Sequence, residues 1–117
     1  MGGGAPGTVA RVTSLVLGPA AVAELQEICQ RYDAAQAGLS RRFVESLDVP
    51  FARLEEFPRS APLVAGYPDV RRAVVRGFPY AVFYRHQQDR IDVLRVLHAA
   101  RAAADRPAGE GPREPDA

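Results

Sequence analysis

"VRGFPYAVFYRHQQDRIDVLRVLHAARA" occupies residues 75–102. It is dense in Val, Ile, Leu, Phe and Tyr, the side chains that suit a half-buried pleated surface. Gly77 marks one turn and the polar run "HQQD" another. The segment therefore reads as two strands, about 79–86 and 90–98, preceded by a third at about 70–76. Arg76, Arg85, Arg90, Arg95 and Arg101 run through it, and His98 stands near its end.

Outward from this stretch the pattern changes period. "RVTSLVL" (11–17) is β-branched and apolar, so it reads as a strand. "GPAAVAEL" opens a helix, with Gly18 as N-cap and Pro19 at the first helical position, where a missing N–H costs nothing. Val22, Leu25, Ile28 or Cys29, and Tyr32 recur at helical spacing. This helix is expected to end near Gly38. A second, from about Ser40, carries Phe43, Leu47, Phe51 and Leu54 on one stripe. Pro50 interrupts it, and a kink or break is expected near Val49. "PRSAPLVAGYP" (58–68) reads as a loop. The order is β-α-α-β-β-β: an α+β domain whose helical hairpin packs on a small, mostly antiparallel sheet. Residues 9–101 form that domain, between a flexible N-terminus (1–8) and a disordered tail (102–117).

The chain has 117 residues, enough for one core without disulfides. The single cysteine, Cys29, suits a reduced compartment. "MGGGAPGT" lacks the basic region and apolar block of a signal peptide, and no apolar run is long enough for a membrane helix. A cytoplasmic protein without membrane association is expected. Two histidines and one cysteine make a metal site unpromising, and no phosphate-binding glycine loop is present, so no cofactor is expected.

Every one of the 15 basic residues is arginine. Residues 19–57 hold four arginines against seven acids, net −3, whereas residues 70–101 hold seven against two, net +5. Such a basic segment attracts polyanions or acidic protein surfaces. With turns centred on Gln87–Gln88 and on Gly77–Phe78, strand alternation pairs Tyr84 with Ile91, Val82 with Val93, Val75 with Tyr80 and Ala73 with Val82. One face then collects Ala73, Val75, Tyr80, Val82, Tyr84, Ile91, Val93 and Leu97, with Arg71 and Arg95 as exceptions. The other, half-open face collects Arg72, Arg76, Arg85, Arg90, Asp92 and His98, with Val74, Phe83, Leu94 and Val96 between them. A one-residue slip would exchange the faces of a whole strand.

The run "FPYAVFY", a short polar turn, then "IDVLRVLHAAR" resembles the last two strands of the RelE/ParE superfamily, the toxins of type II toxin–antitoxin modules, including plasmid stabilisation proteins. "AAVAELQEICQRYDAAQAGLSRRFVESL" resembles that family's helical hairpin: an Ala-x-x-x-Leu start, an aromatic near the end of the first helix, and Gly-Leu before the second. "EEFPRSAP" resembles the loop that follows. The resemblance spans residues 11–101. It implies the same β-α-α-β-β-β fold, neutralisation by a cognate antitoxin, and growth arrest by the free toxin.

Within the superfamily, RelE-like members are ribosome-dependent endoribonucleases that cut mRNA, and ParE-like members poison DNA gyrase. RNA cleavage through the 2′-hydroxyl needs a base, an acid and cations around the phosphorane. This chain has no lysine, and Ala81 follows Tyr80 where RelE-like nucleases place an arginine. Both departures favour the gyrase-directed branch. In a nuclease, His98, Arg76 and Arg85 would be the catalytic candidates; an imidazole titrates near neutrality and guanidinium groups answer phosphate. Arg72, Arg76, Arg85, Arg90 and Arg101 are the candidates for partner binding. A third possibility is an attenuated relative that only binds its antitoxin. Tyr80 and Tyr84 are expected under the helices; Phe83 is the better candidate for base stacking, but a core role is the leading expectation for it too. Cys29 is not expected to be a nucleophile.

Overall fold

The computed structural model describes residues 14–100. Its elements are β1 (Ser14–Leu17), α1 (Pro19–Ala35), α2 (Leu39–Ser46), α3 (Asp48–Glu56), β2 (Val70–Val74), β3 (Tyr80–Gln87) and β4 (Arg90–His98). They build a four-stranded sheet in the order β1-β4-β3-β2. β1 runs parallel to β4, and the other neighbours are antiparallel. The expected α+β architecture, a helical hairpin on a mostly antiparallel sheet, is present. The expectations for residues 1–8, for the tail 102–117 and for Arg101 lie outside the described residues.

The β1–α1 junction is tight. Gly18 caps α1 with Pro19 at the first helical position, and its N–H donates to the Val93 carbonyl at 2.9 Å. A Cβ at position 18 would meet that carbonyl at 3.1 Å, so the close approach favours glycine here. Ala21, fully buried, lets α1 settle close to the sheet.

The expected break in the second helix falls at Leu47, two residues before Val49. The chain ends α2 at Ser46 and starts α3 at Asp48, which puts Pro50 in the first turn of a new helix. There its missing N–H is one of those without an intrahelical acceptor anyway. The proline is accommodated by starting a helix rather than by kinking one.

The main core lies between helices and sheet: Ile28, Phe43, Leu47 and Leu54 from above, Val75, Tyr80, Val82, Tyr84, Ile91, Val93 and Val96 from below. Burying each large side chain contributes about 1.5–3 kcal/mol. Tyr32, Phe43, Phe78 and Tyr80 add edge-on or tilted ring pairs with centroids 5.2–6.2 Å apart.

The β2–β3 register is the expected one: Ala73 opposes Val82, and Val75 N–H donates to the Tyr80 carbonyl at 3.0 Å. Gly77 makes that turn with φ +85°. The β3–β4 register differs twice. Gln87 pairs with Arg90, so the turn is centred on Gln88 and Asp89, one residue later than expected. Gln88 adopts the positive φ (+53°) this tight turn demands. Tyr84 therefore opposes Val93, not Ile91. A bulge follows: Tyr84–Val93 is succeeded by Phe83–Arg95, leaving Leu94 as the extra residue. Beyond it the faces exchange relative to simple alternation. Val96 packs under the helices, Leu97 packs on the opposite face, and His98 opposes Tyr80.

Candidate functional site

The sheet face away from the helices is not open at its centre. The loop after α3 curls past the β2 edge, and Val64 and Tyr67 pack against Val70, Ala81, Phe83 and Leu97, all four buried. Phe83 is a core side chain, the role expected of it ahead of stacking. The half-open face inferred from alternation is a second, smaller core with charges at its rim.

The candidate arginines disperse around that rim. Arg72, exposed, and Arg85, half-buried, share this face through their partners Phe83 and Val70. Arg76 is exposed but lies beyond β2, in the turn toward β3, not on a strand face. Arg90 forms an ion pair with Asp92 at 2.8 Å, two residues along the same strand. Arg95 turns toward α1, where its Nε donates to Glu24 at 2.7 Å. Arg71 is structural: its guanidinium donates to the Arg59 and Ala61 carbonyls at 3.3 and 2.7 Å.

His98 stands at the opposite end of the sheet from Arg85. It meets the Tyr80 ring edge-on at 5.3 Å, and its Nδ1 accepts from the Ala100 N–H at 3.1 Å. Of the three groups a nuclease would need here, Arg85 thus lies at the other end of the sheet from His98, and Arg76 follows β2 at the His98 end. A different trio does assemble. Arg31 Nη2 donates to the Tyr80 hydroxyl at 3.1 Å, beside His98. That bond, with the Tyr80 oxygen as its acceptor, pushes the Arg31 pKa further up. Sequence reasoning passed over Arg31. Its one signal was its place three residues after Ile28, bordering the buried stripe of α1.

Arg53, Arg72 and Arg76 come together instead on a groove of about 830 Å³ between α3 and the outer edge of β2. Val49, Pro50, Ala73 and Val74 supply its apolar wall. A shallower depression at the end of α3 is bordered by His86, Phe57 and Arg59, with the Arg53 guanidinium 6.0 Å over the Phe57 ring.

Burial, and secondarily Asp33, pushes the Cys29 thiol up, which disfavours the reactive thiolate. Among the described residues no group of three His, Cys, Asp or Glu side chains could hold a metal ion. No helix among them is long and apolar enough to cross a membrane.

The architecture has solved counterparts. One, titled as a chromosomal ParDE toxin–antitoxin system from P. aeruginosa, superposes with a TM-score of 0.66 at 20% identity, over 76% of this chain and 98% of that one. Another, E. coli toxin RelE as a double arginine-to-alanine mutant in the free state, gives 0.62 at 20% identity, over 83% and 94%. No curated protein matches the chain. The family described as the ParE toxin of the type II toxin–antitoxin system parDE matches residues 15–103, most of the sequence, from within β1 through β4. The chain belongs to the ParE toxin family of type II toxin–antitoxin systems.

Proposed function

We propose that this toxin arrests growth by binding and inhibiting DNA gyrase, as ParE-like toxins do, and that its cognate antitoxin holds it inactive in the cytoplasm. The observation that carries this reading is Ala81. It is fully buried in the second core with Phe83 and Leu97, at the position where RelE-like nucleases place an arginine. A guanidinium there would have to enter an apolar cluster. The separation of Arg85 from His98, at opposite ends of the sheet, agrees, because phosphorane stabilisation needs convergent groups.

One observation favours a second reading, a ribosome-dependent mRNA interferase. Arg31, Tyr80 and His98 form a guanidinium–phenol–imidazole group at the open end of β4. Induced expression separates the two. The gyrase reading expects blocked supercoiling with intact mRNA, reversed by co-expressing the cognate antitoxin. Rapid mRNA cleavage at ribosomes with normal supercoiling would overturn it and support the interferase. Absence of growth arrest would support an attenuated relative that only binds its antitoxin.

A further inference from the structure

Tyr80 opens β3 opposite His98, the last residue of β4, and its ring packs under the helices. The residue is only 6% exposed, but its hydroxyl reaches the exposed Arg31 and accepts from Nη2 at 3.1 Å. Accepting that bond leaves the phenol's own proton to a further acceptor. Tyr32, next to Arg31, brings a second phenol to the same spot: burial first, and Tyr80 next, push its pKa up.

The exposed His98 imidazole meets the Tyr80 ring edge-on, with centroids 5.3 Å apart. Its Nδ1 accepts the Ala100 N–H at 3.1 Å, and an accepting ring nitrogen carries no proton. The neutral ring therefore holds its proton on Nε2, which is a donor. Arg31 forms no salt bridge among the described residues. Glu27, one turn back on α1, lies near enough to favour its charge but does not pair with it.

A guanidinium, a phenol and an imidazole N–H thus offer protons at one end of the sheet. A carboxylate is filled by a single guanidinium fork, whereas a phosphate spreads its oxygens and accepts from several donors at once. The set also lacks a base. Nδ1 is engaged and Nε2 is protonated, so a phosphodiester can be held here without being cut.

We propose that Arg31, Tyr80 and His98 form a binding site for a backbone phosphate of DNA, and that the toxin uses it on the DNA that gyrase carries. The proposal rests on the gyrase reading. It adds a second contact, made to the nucleic acid rather than to the enzyme.

The test titrates the full chain with a short DNA duplex, with single-stranded RNA of equal length and with inorganic phosphate. The His98 ring nitrogens are followed by NMR. Inhibition of supercoiling and affinity for the cognate antitoxin are measured alongside, for the parent, Arg31→Gln, Arg31→Lys and Tyr80→Phe. The expected result is a saturable shift of His98 Nε2 with the duplex. Arg31→Gln should weaken duplex binding roughly tenfold and lower the salt slope by about one. Arg31→Lys, which keeps the charge but not the fork, should fall between it and the parent. Supercoiling inhibition should weaken in the same order, with antitoxin affinity at the parent level in every variant. Should Tyr80→Phe melt early, the two Arg31 variants decide alone. A His98 signal that ignores the duplex, or that answers inorganic phosphate only, would overturn the site. Tenfold tighter binding of the RNA would overturn its assignment to DNA. A parent protein whose His98 answers the duplex but which leaves supercoiling untouched would overturn the gyrase reading and leave the phosphate site standing.

Discussion

Glu24 on α1 completes the edge of β4 for Val96. β1 ends at Leu17, opposite Val93, so the rest of β4 has no neighbouring strand on that side. One Glu24 oxygen accepts the Val96 N–H at 2.8 Å and the other accepts Arg95 Nε at 2.7 Å. A helix side chain thus does what a strand backbone would have done, and ties α1 to the bulged part of β4. Glu24→Ala leaves a guanidinium and a backbone donor without partners in a mostly buried setting. We expect a loss of about 3 kcal/mol and a fall in Tm of roughly 10–25 °C by thermal denaturation. Glu24→Gln keeps one acceptor and should lose about half as much. Equal stability of the alanine variant and the parent would refute the edge-completing role.

Asp33, at the end of α1, holds the start of α2. Its carboxylate accepts the Ser40 N–H at 3.1 Å and the Ser40 hydroxyl at 2.7 Å. Those bonds, the hydroxyl first, hold its pKa below the ordinary aspartate range. A depressed folded-state pKa means that folding favours the carboxylate. Its stabilisation is therefore fully present above the unfolded-state value, about 4, and is lost as pH falls through that value and the lower folded one. Asp33→Asn should lower Tm at neutral pH, and the two melting curves should converge as pH drops below about 4. A gap that persists undiminished in acid would mean that the charge is not what matters.

The loop after α3 is pinned by two side chains from neighbouring strands. The Tyr84 hydroxyl donates to the Pro58 carbonyl at 2.8 Å, and Arg71 to the Arg59 and Ala61 carbonyls. Tyr84→Phe should cost about 1 kcal/mol and Arg71→Met a similar amount, with faster proteolytic cleavage at residues 57–62 in both. Burial pushes the Tyr84 hydroxyl pKa up. The neutral form is thus favoured by folding, and its contribution is present below about pH 10 and lost above it. The alkaline loss should be smaller in Tyr84→Phe.

Gly77 and the alternation around it made the β2–β3 pairing legible, because a glycine with positive φ fixes where that hairpin turns. The β3–β4 pairing was not legible in the same way. Val93, Leu94, Val96 and Leu97 offer apolar side chains to both faces, so hydrophobic pattern alone accepts the strand with or without a bulge at Leu94. The exchange of Val96 with Leu97, and the placing of His98 beside Tyr80, follow from that one residue. Pro50 announced a break but not its position, since a proline in a first helical turn leaves the boundary to the residues before it. The candidate site was less legible. An all-arginine complement gives no ranking among its members. What distinguishes Arg53, Arg72 and Arg76 is a groove formed by α3 meeting β2, and what distinguishes Arg31 is the Tyr80 hydroxyl, a partner 49 residues away.

Ala81 is where the two functional readings part. If the fold merely lacked one catalytic arginine, restoring it would move the protein toward RNA cleavage. The side chain at position 81 instead sits fully buried on the face away from the helices, clustered with Phe83 and Leu97 and covered by Val64 and Tyr67. A guanidinium placed there would be desolvated without a carboxylate in the cluster, or would expel the loop that covers it. Either route costs several kcal/mol, on the order of 3 or more. Ala81→Arg should therefore lower stability sharply by urea denaturation and expose the 62–67 loop to protease. It should give no mRNA cleavage in a translating extract, while Ala81→Ser, close in volume, should retain the fold and growth arrest. An Ala81→Arg protein that melts like the parent and cuts mRNA on ribosomes would show that this face is built to receive the arginine, and would reverse the preference for a gyrase target.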